Sequence, residues 1–282
     1  MCLIAFAIGV SPRWPLVIAS NRDEFLNRPT LPLYWWTSAS GQEILSGQDV
    51  RAGGTWLGAT RSGRVAFLTN VREPAPQVAA FSRGDLVKRW LESRSDADAF
   101  AATIRKESGS YGAFNLVLGD LQQQAWVWVS NRSSATGSSW QTQALAKDRI
   151  YTLSNASLDT PWPKSVALKG TLGAALKHTS LAELMDGTAD HSIWRALADR
   201  SPALLQALPR TGASEAMELG LSSVFVDLPA HGYRTRSSTL LVASRSQTST
   251  SGLKIDMVEK THLSLEKESF LSSFAFEVES LP

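Results

Sequence analysis

The first 25 residues, MCLIAFAIGVSPRWPLVIASNRDEF, contain the pattern that decides the fold. Two apolar runs, 2–10 and 16–19, flank the proline-containing segment 11–15, which is typical of a turn. This arrangement predicts an N-terminal β-hairpin. The polar block 21–24 follows directly, where the second strand of the hairpin leaves its sheet.

The rest of the chain predicts blocks of strands separated by blocks of helices. Apolar residues recur at helical spacing in 86–91 and 95–104, with Ser95 as the expected N-cap of the second helix. The Ala- and Leu-rich stretch 162–220 predicts several helices, and Gly170 is expected to interrupt them. Further strands are predicted at 55–58, 65–70, 113–119, 125–130, 150–153, 223–227, 238–243, 254–258 and 274–278.

This order is not the strict strand and helix alternation of a doubly wound fold. It predicts an α+β structure with largely antiparallel sheets, in one domain over residues 1–282. Segments 29–52 and 72–83 are predicted to be loops that shape a binding site.

Composition narrows the class of protein. A hydrophobic fraction of 43% and a charged fraction of 19% are typical of a soluble globular chain. A formal charge of +2, from 28 basic and 26 acidic residues, gives no electrostatic indication of nucleic-acid binding. The apolar start lacks a basic n-region, and no uncharged run reaches the roughly 18 residues of a membrane span. We therefore expect a cytoplasmic protein that is not an integral membrane protein.

Several common site motifs are absent from the sequence, namely G-x-S-x-G, Walker A, G-x-G-x-x-G, H-E-x-x-H and C-x-x-C-H. The four histidines are scattered without ligand spacing. No metal site and no required cofactor are therefore expected.

Cys2 is the only cysteine, so an intramolecular disulfide is excluded and a reducing compartment is favoured. Met1 is commonly removed before a small second residue, which would place a thiol and a free α-amine on Cys2. With ordinary pKa values of about 8.5 for a thiol and about 7.7–8.0 for an α-amine, the amine could act as general base for the thiol. The alternative is a small hydrophobe at the start of a buried strand.

Four polar motifs follow apolar strands, and their residue types fit the cleavage of an amide or thioester bond. Cations or carboxylates would orient the terminal amine and thiol, and Asn side chains would donate to a developing oxyanion. Taken singly, each motif is also typical of a turn. The motifs are Asn21-Arg22-Asp23-Glu24, Thr69-Asn70-Val71-Arg72, Ser154-Asn155 and Arg234-Thr235-Arg236.

Together with the N-terminal cysteine, these motifs resemble the NRDE family, also called TANGO2 (transport and Golgi organisation 2). The resemblance spans nearly the whole chain in order. It is carried by Met1-Cys2-Leu3-Ile4, Asn21 to Phe25 with Arg28-Pro29, Gly53 to Gly58, Thr69-Asn70, Ser82-Arg83-Gly84, Phe114-Asn115-Leu116, Leu153 to Ala156, Pro161 to Lys164 and Thr235 to Thr239.

That family is similar to N-terminal-nucleophile (Ntn) hydrolases of the bile-salt-hydrolase and penicillin-V-acylase type. The resemblance implies a four-layer αββα sandwich, with Cys2 as nucleophile and Asn155 and Asn70 on the oxyanion side. It also implies Arg236 as a late active-site arginine. After the second strand, two pairings stay open, namely Arg22 with Asp23 or Asn21 with Glu24.

Three functions are consistent with these features. The first is a cysteine hydrolase acting on an amide or related acyl bond of a small, partly apolar ligand. Its catalytic residues would be Cys2, Arg22, Asp23, Asn70, Asn155 and Arg236, and its substrate-binding residues Asn21, Glu24, Trp56 and Arg72. The alternative implied by the resemblance is a non-catalytic protein that binds and moves haem, lipid or acyl-CoA. A purely structural or protein-interaction module ranks last, because it leaves the polar strand ends unexplained.

Overall fold

The computed structural model describes residues 2–73, 79–132, 140–188, 191–263 and 269–280, and their strands form two antiparallel seven-stranded sheets. The first sheet has the spatial order β10 (Arg149–Leu153), β1 (Cys2–Ile8), β2 (Leu16–Phe25), β12 (Tyr233–Arg245), β13 (Leu253–Thr261) and β14 (Phe270–Glu277), with β11 (Asp227–Leu228) paired to β12. The second sheet has the order β3 (Thr30–Thr37), β4 (Glu43–Asp49), β5 (Leu57–Ala59), β6 (Arg64–Asn70), β7 (Phe114–Asp120), β8 (Ala125–Ser130) and β9 (Gln141–Ala144).

The helices come from two segments of the chain. The first segment contributes α1 (Gly84–Glu92) and α2 (Ala97–Glu107), and the second contributes α3 (Pro163–His178), α4 (Leu181–Met185), α5 (Ser192–Leu197) and α6 (Glu215–Gly220). Short 3₁₀ turns lie at Ser108–Ser110, Leu205–Ala207 and Pro229–His231. In the described residues, no helix is long and apolar enough to cross a membrane.

The predicted N-terminal hairpin is confirmed. β1 and β2 pair antiparallel, and Cys2 lies opposite Arg22 in the register. Every residue of β1 is buried, because one face of the strand contacts the second sheet and the other contacts helices. Leu3 points toward the helices, whereas Cys2 and Ile4 point into the space between the sheets.

Three apolar cores define the layers. The inner core joins the facing surfaces of the two sheets, for example Phe6 of β1 and Phe67 of β6. A second core packs α3, α4 and α5 on the outer face of the first sheet, and a third packs α1 and α2 on the outer face of the second. The expected four-layer αββα sandwich is confirmed.

The prediction of a loop over residues 29–52 was wrong, because this segment supplies β3 and β4. β3 is the edge strand of its sheet, and Leu33 is its one fully buried residue. A strand at an edge, with most side chains partly exposed, has weak period-two alternation and therefore a weak sequence signal. Of the second predicted loop, residues 74–78 lie outside the described residues, and Phe81 forms an isolated bridge with Tyr111.

Three smaller expectations also failed. The N-cap of α2 is Asp96 rather than Ser95, and its carboxylate accepts a hydrogen bond of 2.7 Å from the Ala99 amide. α3 runs through Gly170, which is exposed, and an exposed helical glycine costs only about 1 kcal/mol. The predicted strand 223–227 is reduced to β11, which begins at residue 227.

Candidate active site

Cys2 lies at the open end of the sandwich, where the first strands of the first sheet meet the end of β6. The thiol lines a cavity of about 390 Å³, and the side chain is 6% exposed. Among the residues singled out from the sequence, the lining also includes Arg22, Asp23, Glu24, Trp56 and Asn70. Chain segments that are far apart in sequence, on both sheets, therefore build one site around the cysteine.

Arg22 is held between an aromatic ring and polar groups. Its guanidinium carbon lies 4.0 Å from the Trp56 ring centroid. One terminal nitrogen donates to Thr30 Oγ1 at 3.2 Å, and the other lies 3.6 Å from Glu24 Oε2. Gly47 makes this stack possible, since a Cβ at that position would lie 2.4 Å from the Trp56 ring. The stack holds a fixed positive charge beside Cys2.

Asp23 is buried at the rim of the same cavity. Its Oδ1 accepts a hydrogen bond of 2.7 Å from Thr235, and its carbonyl accepts one of 2.9 Å from the Tyr233 hydroxyl. Burial raises the pKa of Asp23, while the positive charges of Lys164 and Arg22 oppose that shift. These two cations favour the ionised carboxylate in a site that would otherwise favour the acid.

Lys164 is a buried cation behind Asp23, and its importance was not inferred from the sequence. Burial lowers its pKa to about 8, although the charge of Asp23 acts in the opposite direction. Its ammonium donates to the Leu221 carbonyl at 2.8 Å. Because Lys164 lies in the first turn of α3, the positive end of the helix dipole also disfavours its charge.

The Cys2 thiol is not activated by its surroundings alone. Burial raises its pKa, and the carboxylates of Asp23 and Glu24 add to that shift, whereas Arg22 opposes it. At neutral pH the thiol therefore keeps its proton, and a nucleophilic role requires a base that removes it.

Asn70 and Asn155 form a connection between the two sheets beside the cavity. Asn70, at the end of β6, lines the cavity. The Asn155 amide donates to the Asn70 carbonyl at 2.8 Å, and the Arg72 amide donates to the Asn155 carbonyl at 2.8 Å. Asn155 itself is buried outside the cavity lining, so it supports Asn70 instead of facing a ligand.

Three further residues singled out from the sequence do not line the cavity. Asn21 points to the helix layer, where its amide donates to the carbonyls of Leu197 and Val224. Of the two pairings left open by the sequence, Arg22 with Asp23 has both residues in the cavity lining, whereas Asn21 is absent from it. Arg72 pairs with Glu218 in the helical segment.

Arg236 also differs from its expected position. It lies at an irregularity in the pairing of β12 with β2, where the register shifts between Thr235 and Ser237. Its guanidinium donates to the carbonyls of Phe25, Leu26 and Arg28, at 2.9, 3.3 and 3.3 Å. Arg236 therefore holds the turn after β2 and does not reach the cavity.

The cavity contains charged residues that sequence reasoning did not select. Arg28 and Asp49 form an ion pair of 2.6 Å at its edge, and Arg83 contributes a further guanidinium. Arg83 was part of the Ser82-Arg83-Gly84 motif, but nothing in that motif distinguishes a ligand contact from a surface turn. The position of α1 against the second sheet brings Arg83 to the site.

The layering and the cavity define an αββα sandwich protein with a buried cysteine at the start of its first strand. The model of the family Transport and Golgi organisation 2 (TANGO2) matches residues 1–263, and the chain belongs to that family.

Curated relatives carry the same name. The Transport and Golgi organization 2 homolog of Mus musculus is 35% identical over 174 residues, which cover 58% of this chain and 60% of the mouse protein. Thus the match spans about 60% of the length of that relative. Transport and Golgi organization protein 2 of Drosophila melanogaster is 28% identical over 94% of both chains.

Two solved structures have a similar overall arrangement at low sequence identity. One is the C2A mutant of a conjugated bile acid hydrolase from Clostridium perfringens, with a TM-score of 0.47 and 7% identity, covering 100% of this chain and 99% of the other. The other is a Caenorhabditis elegans ortholog of N-acylethanolamine-hydrolyzing acid amidase, with a TM-score of 0.42 and 9% identity, covering 86% of this chain and 92% of the other.

Proposed function

We propose that this protein is an N-terminal-nucleophile cysteine hydrolase that cleaves an amide C–N bond, or a related acyl bond, of a small, partly apolar substrate. The observation that carries the proposal is the position of the Cys2 thiol. It lines a cavity of about 390 Å³ together with Arg22, Asp23 and Asn70, which are residue types suited to acyl transfer.

The first step needs a base, because burial raises the pKa of the Cys2 thiol. After removal of Met1, the α-amine of Cys2 takes this role, since its ordinary pKa of about 7.7–8.0 leaves it partly neutral at physiological pH. The sulfur attacks the substrate carbonyl carbon while the thiol proton moves to the amine. The carboxylate of Asp23 then stabilises the resulting ammonium.

The attack creates a negative charge on the former carbonyl oxygen. The Asn70 side chain, in the cavity wall, is the donor suited to this oxyanion. Asn155 contributes indirectly, because its amide holds the Asn70 backbone at 2.8 Å. The Arg22 guanidinium adds positive potential beside the thiol, and its stack on Trp56 keeps it in place.

Collapse of the tetrahedral intermediate completes acylation. The C–N bond breaks, and the leaving amine takes the proton from the Cys2 ammonium. This leaves a thioester on the sulfur. A water molecule, deprotonated by the free α-amine, then attacks the thioester carbonyl. The C–S bond breaks, the carboxylic acid departs and the thiol regains its proton.

The experiment that tests this mechanism separates the thiol from the amine. Intact mass spectrometry of the purified protein should show the mass of the chain without Met1. Hydrolysis of hexanoyl amides and of hexanoyl p-nitrophenyl ester should be lost in Cys2→Ala. It should also be lost in a chain with one glycine inserted before Cys2, which keeps the thiol but moves the α-amine. Turnover by Cys2→Ala, or full activity with the added glycine, would show that Cys2 is not the nucleophile or that its amine is not the base.

A second candidate is the binding of haem, lipid or acyl-CoA as cargo in the same cavity. A cysteine thiolate is one of the side chains that ligate haem iron, and Trp56 and Phe81 give the cavity two aromatic walls. Difference absorption spectroscopy with haem tests this candidate. A Soret shift that disappears in Cys2→Ala is the expected result for cargo binding, and the absence of any shift at micromolar protein opposes it.

A further inference from the structure

The cavity around Cys2 contains three arginines, and two of them are engaged by carboxylates. Arg28 donates from Nε and a terminal nitrogen to one oxygen of Asp49, at 2.8 and 2.6 Å. Arg22 lies 3.6 Å from Glu24. These two cations are therefore largely compensated by the protein itself.

Arg83 differs from both. In the described part of the chain, its one hydrogen bond runs from a terminal nitrogen to the Ala113 carbonyl at 3.1 Å, and no carboxylate lies within ion-pair distance. The guanidinium is partly buried and lines the cavity. Burial lowers its pKa, but an arginine stays protonated in proteins. Its charge is thus held in a partly dry site where Glu24 and Glu73 act on it from beyond ion-pair distance.

Close backbone packing fixes the position of Arg83. It directly precedes α1, and the Thr55 amide donates to the Gly84 carbonyl at 3.1 Å. A Cβ on Gly54 would lie 2.5 Å from the Gly84 carbonyl carbon, so only glycine permits this approach. On the other side, a Cβ on Gly112 would lie 3.3 Å from a terminal nitrogen of Arg83. The guanidinium is therefore a preorganised feature of the cavity wall.

The charge balance of the lining determines which anion suits this position. Three arginines face four carboxylates, namely Asp23, Glu24, Asp49 and Glu73. Glu73 is paired with Arg132 at 2.7 Å, which leaves three arginines against three carboxylates, so the lining has no surplus positive charge for a dianion such as a phosphate monoester. A single negative charge placed on the uncompensated guanidinium gains a charge-assisted hydrogen bond, which a carboxylate can accept in bidentate form.

We propose that Arg83 anchors a carboxylate of the substrate, so that the protein acts on anionic amides in preference to neutral ones. The inference rests on the proposed function for the identification of this cavity as the substrate site. It names the charge that the substrate brings to this site.

The test uses two reagents of nearly equal size, iodoacetate and iodoacetamide, which alkylate the thiol and differ by one negative charge. Because Cys2 is the only cysteine, the mass added to the intact protein over time gives the rate at which each reagent alkylates Cys2. Their ratio cancels the intrinsic reactivity of the thiol, so it reports the anion preference of the cavity whether or not Cys2 turns over a substrate.

In Arg83→Gln, the ratio of iodoacetate to iodoacetamide rates should fall about fivefold or more, on the order expected for loss of one charge within several ångströms in a partly wet site. Arg83→Lys should retain part of the preference. The matched control is Arg89→Gln, on α1, the helix that begins directly after Arg83, where the arginine pairs with Glu107 at 2.9 Å and is absent from the cavity lining. A ratio unchanged within twofold in Arg83→Gln, or an equal fall in Arg89→Gln, overturns the proposal.

A second measurement needs no variant. Hexanoate should protect Cys2 of the wild-type protein from iodoacetamide at a lower concentration than hexanamide or hexyl phosphate. Equal protection by hexanamide, or stronger protection by hexyl phosphate, overturns the carboxylate assignment. If the anion preference depends on Arg83 while neither the neutral hexanoyl amides nor amides that carry a carboxylate are hydrolysed, the hydrolase function fails and the anion site stands.

Discussion

Replacement of Asn21 tests whether this residue stabilises the fold, whereas its neighbours in the Asn-Arg-Asp-Glu block line the cavity. Asn21 is fully buried between the first sheet and the helix layer. Its amide nitrogen donates to the carbonyls of Leu197 and Val224, at 2.8 and 2.9 Å, and its oxygen accepts from the Ser238 hydroxyl at 2.6 Å. Asn21→Ala removes all three hydrogen bonds at once.

The magnitude follows from the groups left behind. The two backbone carbonyls lose a donor in a dry environment, at about 1–3 kcal/mol for each buried group left unsatisfied. Ser238 keeps a contact of 3.0 Å with His262 Nε2, so its contribution is small. We expect the free energy of unfolding to fall by roughly 3 kcal/mol, measured by urea denaturation with tryptophan fluorescence. Asn27→Ala, the same substitution at an exposed position, should change it by less than about 0.5 kcal/mol.

The native site should not respond to the same substitution. Below the unfolding transition, the rate at which iodoacetamide alkylates Cys2 in Asn21→Ala should stay within twofold of wild type, because Asn21 faces the opposite side of β2. A loss of stability below about 1 kcal/mol would refute the assignment of the three hydrogen bonds as structural. A large change in alkylation rate in the folded variant would refute its separation from the site.

Other perturbations test separate features. Gly47→Ala should slow any Cys2-dependent turnover by displacing the Trp56 ring, since the new Cβ would lie 2.4 Å from it; unchanged kinetics would refute that coupling. Burial lowers the pKa of Lys164 to about 8 in the folded protein, whereas its ordinary pKa, expected in the unfolded chain, is 10.5. Between these two pH values the unfolded chain therefore binds more protons than the folded protein. The contribution of Lys164 to the free energy of unfolding should therefore rise as pH rises from about 8 to 10.5, and Lys164→Met should lack this rise. If the free energies of unfolding of the two proteins, measured in urea, change with pH in parallel, this prediction is wrong. Gly170→Ala, exposed in mid-helix with no atom within 4 Å of the new Cβ, should raise the free energy of unfolding by roughly 0.5–1 kcal/mol, and a decrease would contradict the open space seen there.

The sequence predicts the first hairpin of this fold well, because strong apolar runs flank a turn that contains two prolines. It predicts β3 poorly, since its side chains are only partly buried at the edge of a sheet. It predicts β4 poorly for a different reason, since this internal strand is buried on both faces and therefore lacks a clear alternation. The four-layer arrangement was predicted only from the resemblance to a known family, and not from the pattern of the residues. Apolar alternation alone does not tell which sheet pairs with which helices when both faces of a strand are buried.

The same ambiguity limits what the sequence reveals about the site. Successive side chains of a strand point to opposite faces, so Asn21 and Arg22 must face different layers. The sequence does not tell which of them faces the second sheet, because both are buried. Arg236 lies at a shift of register, and a shift of one residue changes the direction of every side chain near it. Helix packing brings Arg83 to the cavity and brings the charge of Lys164 within reach of Asp23, and the local sequence carries no signal for either.

The hydrogen bonds between Asn155 and the segment from Asn70 to Arg72 cross from one sheet to the other beside the cavity. Cys2 and Asp23 belong to the first sheet, whereas Asn70 belongs to the second. The distance from the Cys2 thiol to Asn70 is therefore set by how the two sheets dock. A folding intermediate with only the first sheet assembled keeps Arg22 and Asp23 beside Cys2 but lacks Asn70, so the cavity is complete only once the two sheets have joined.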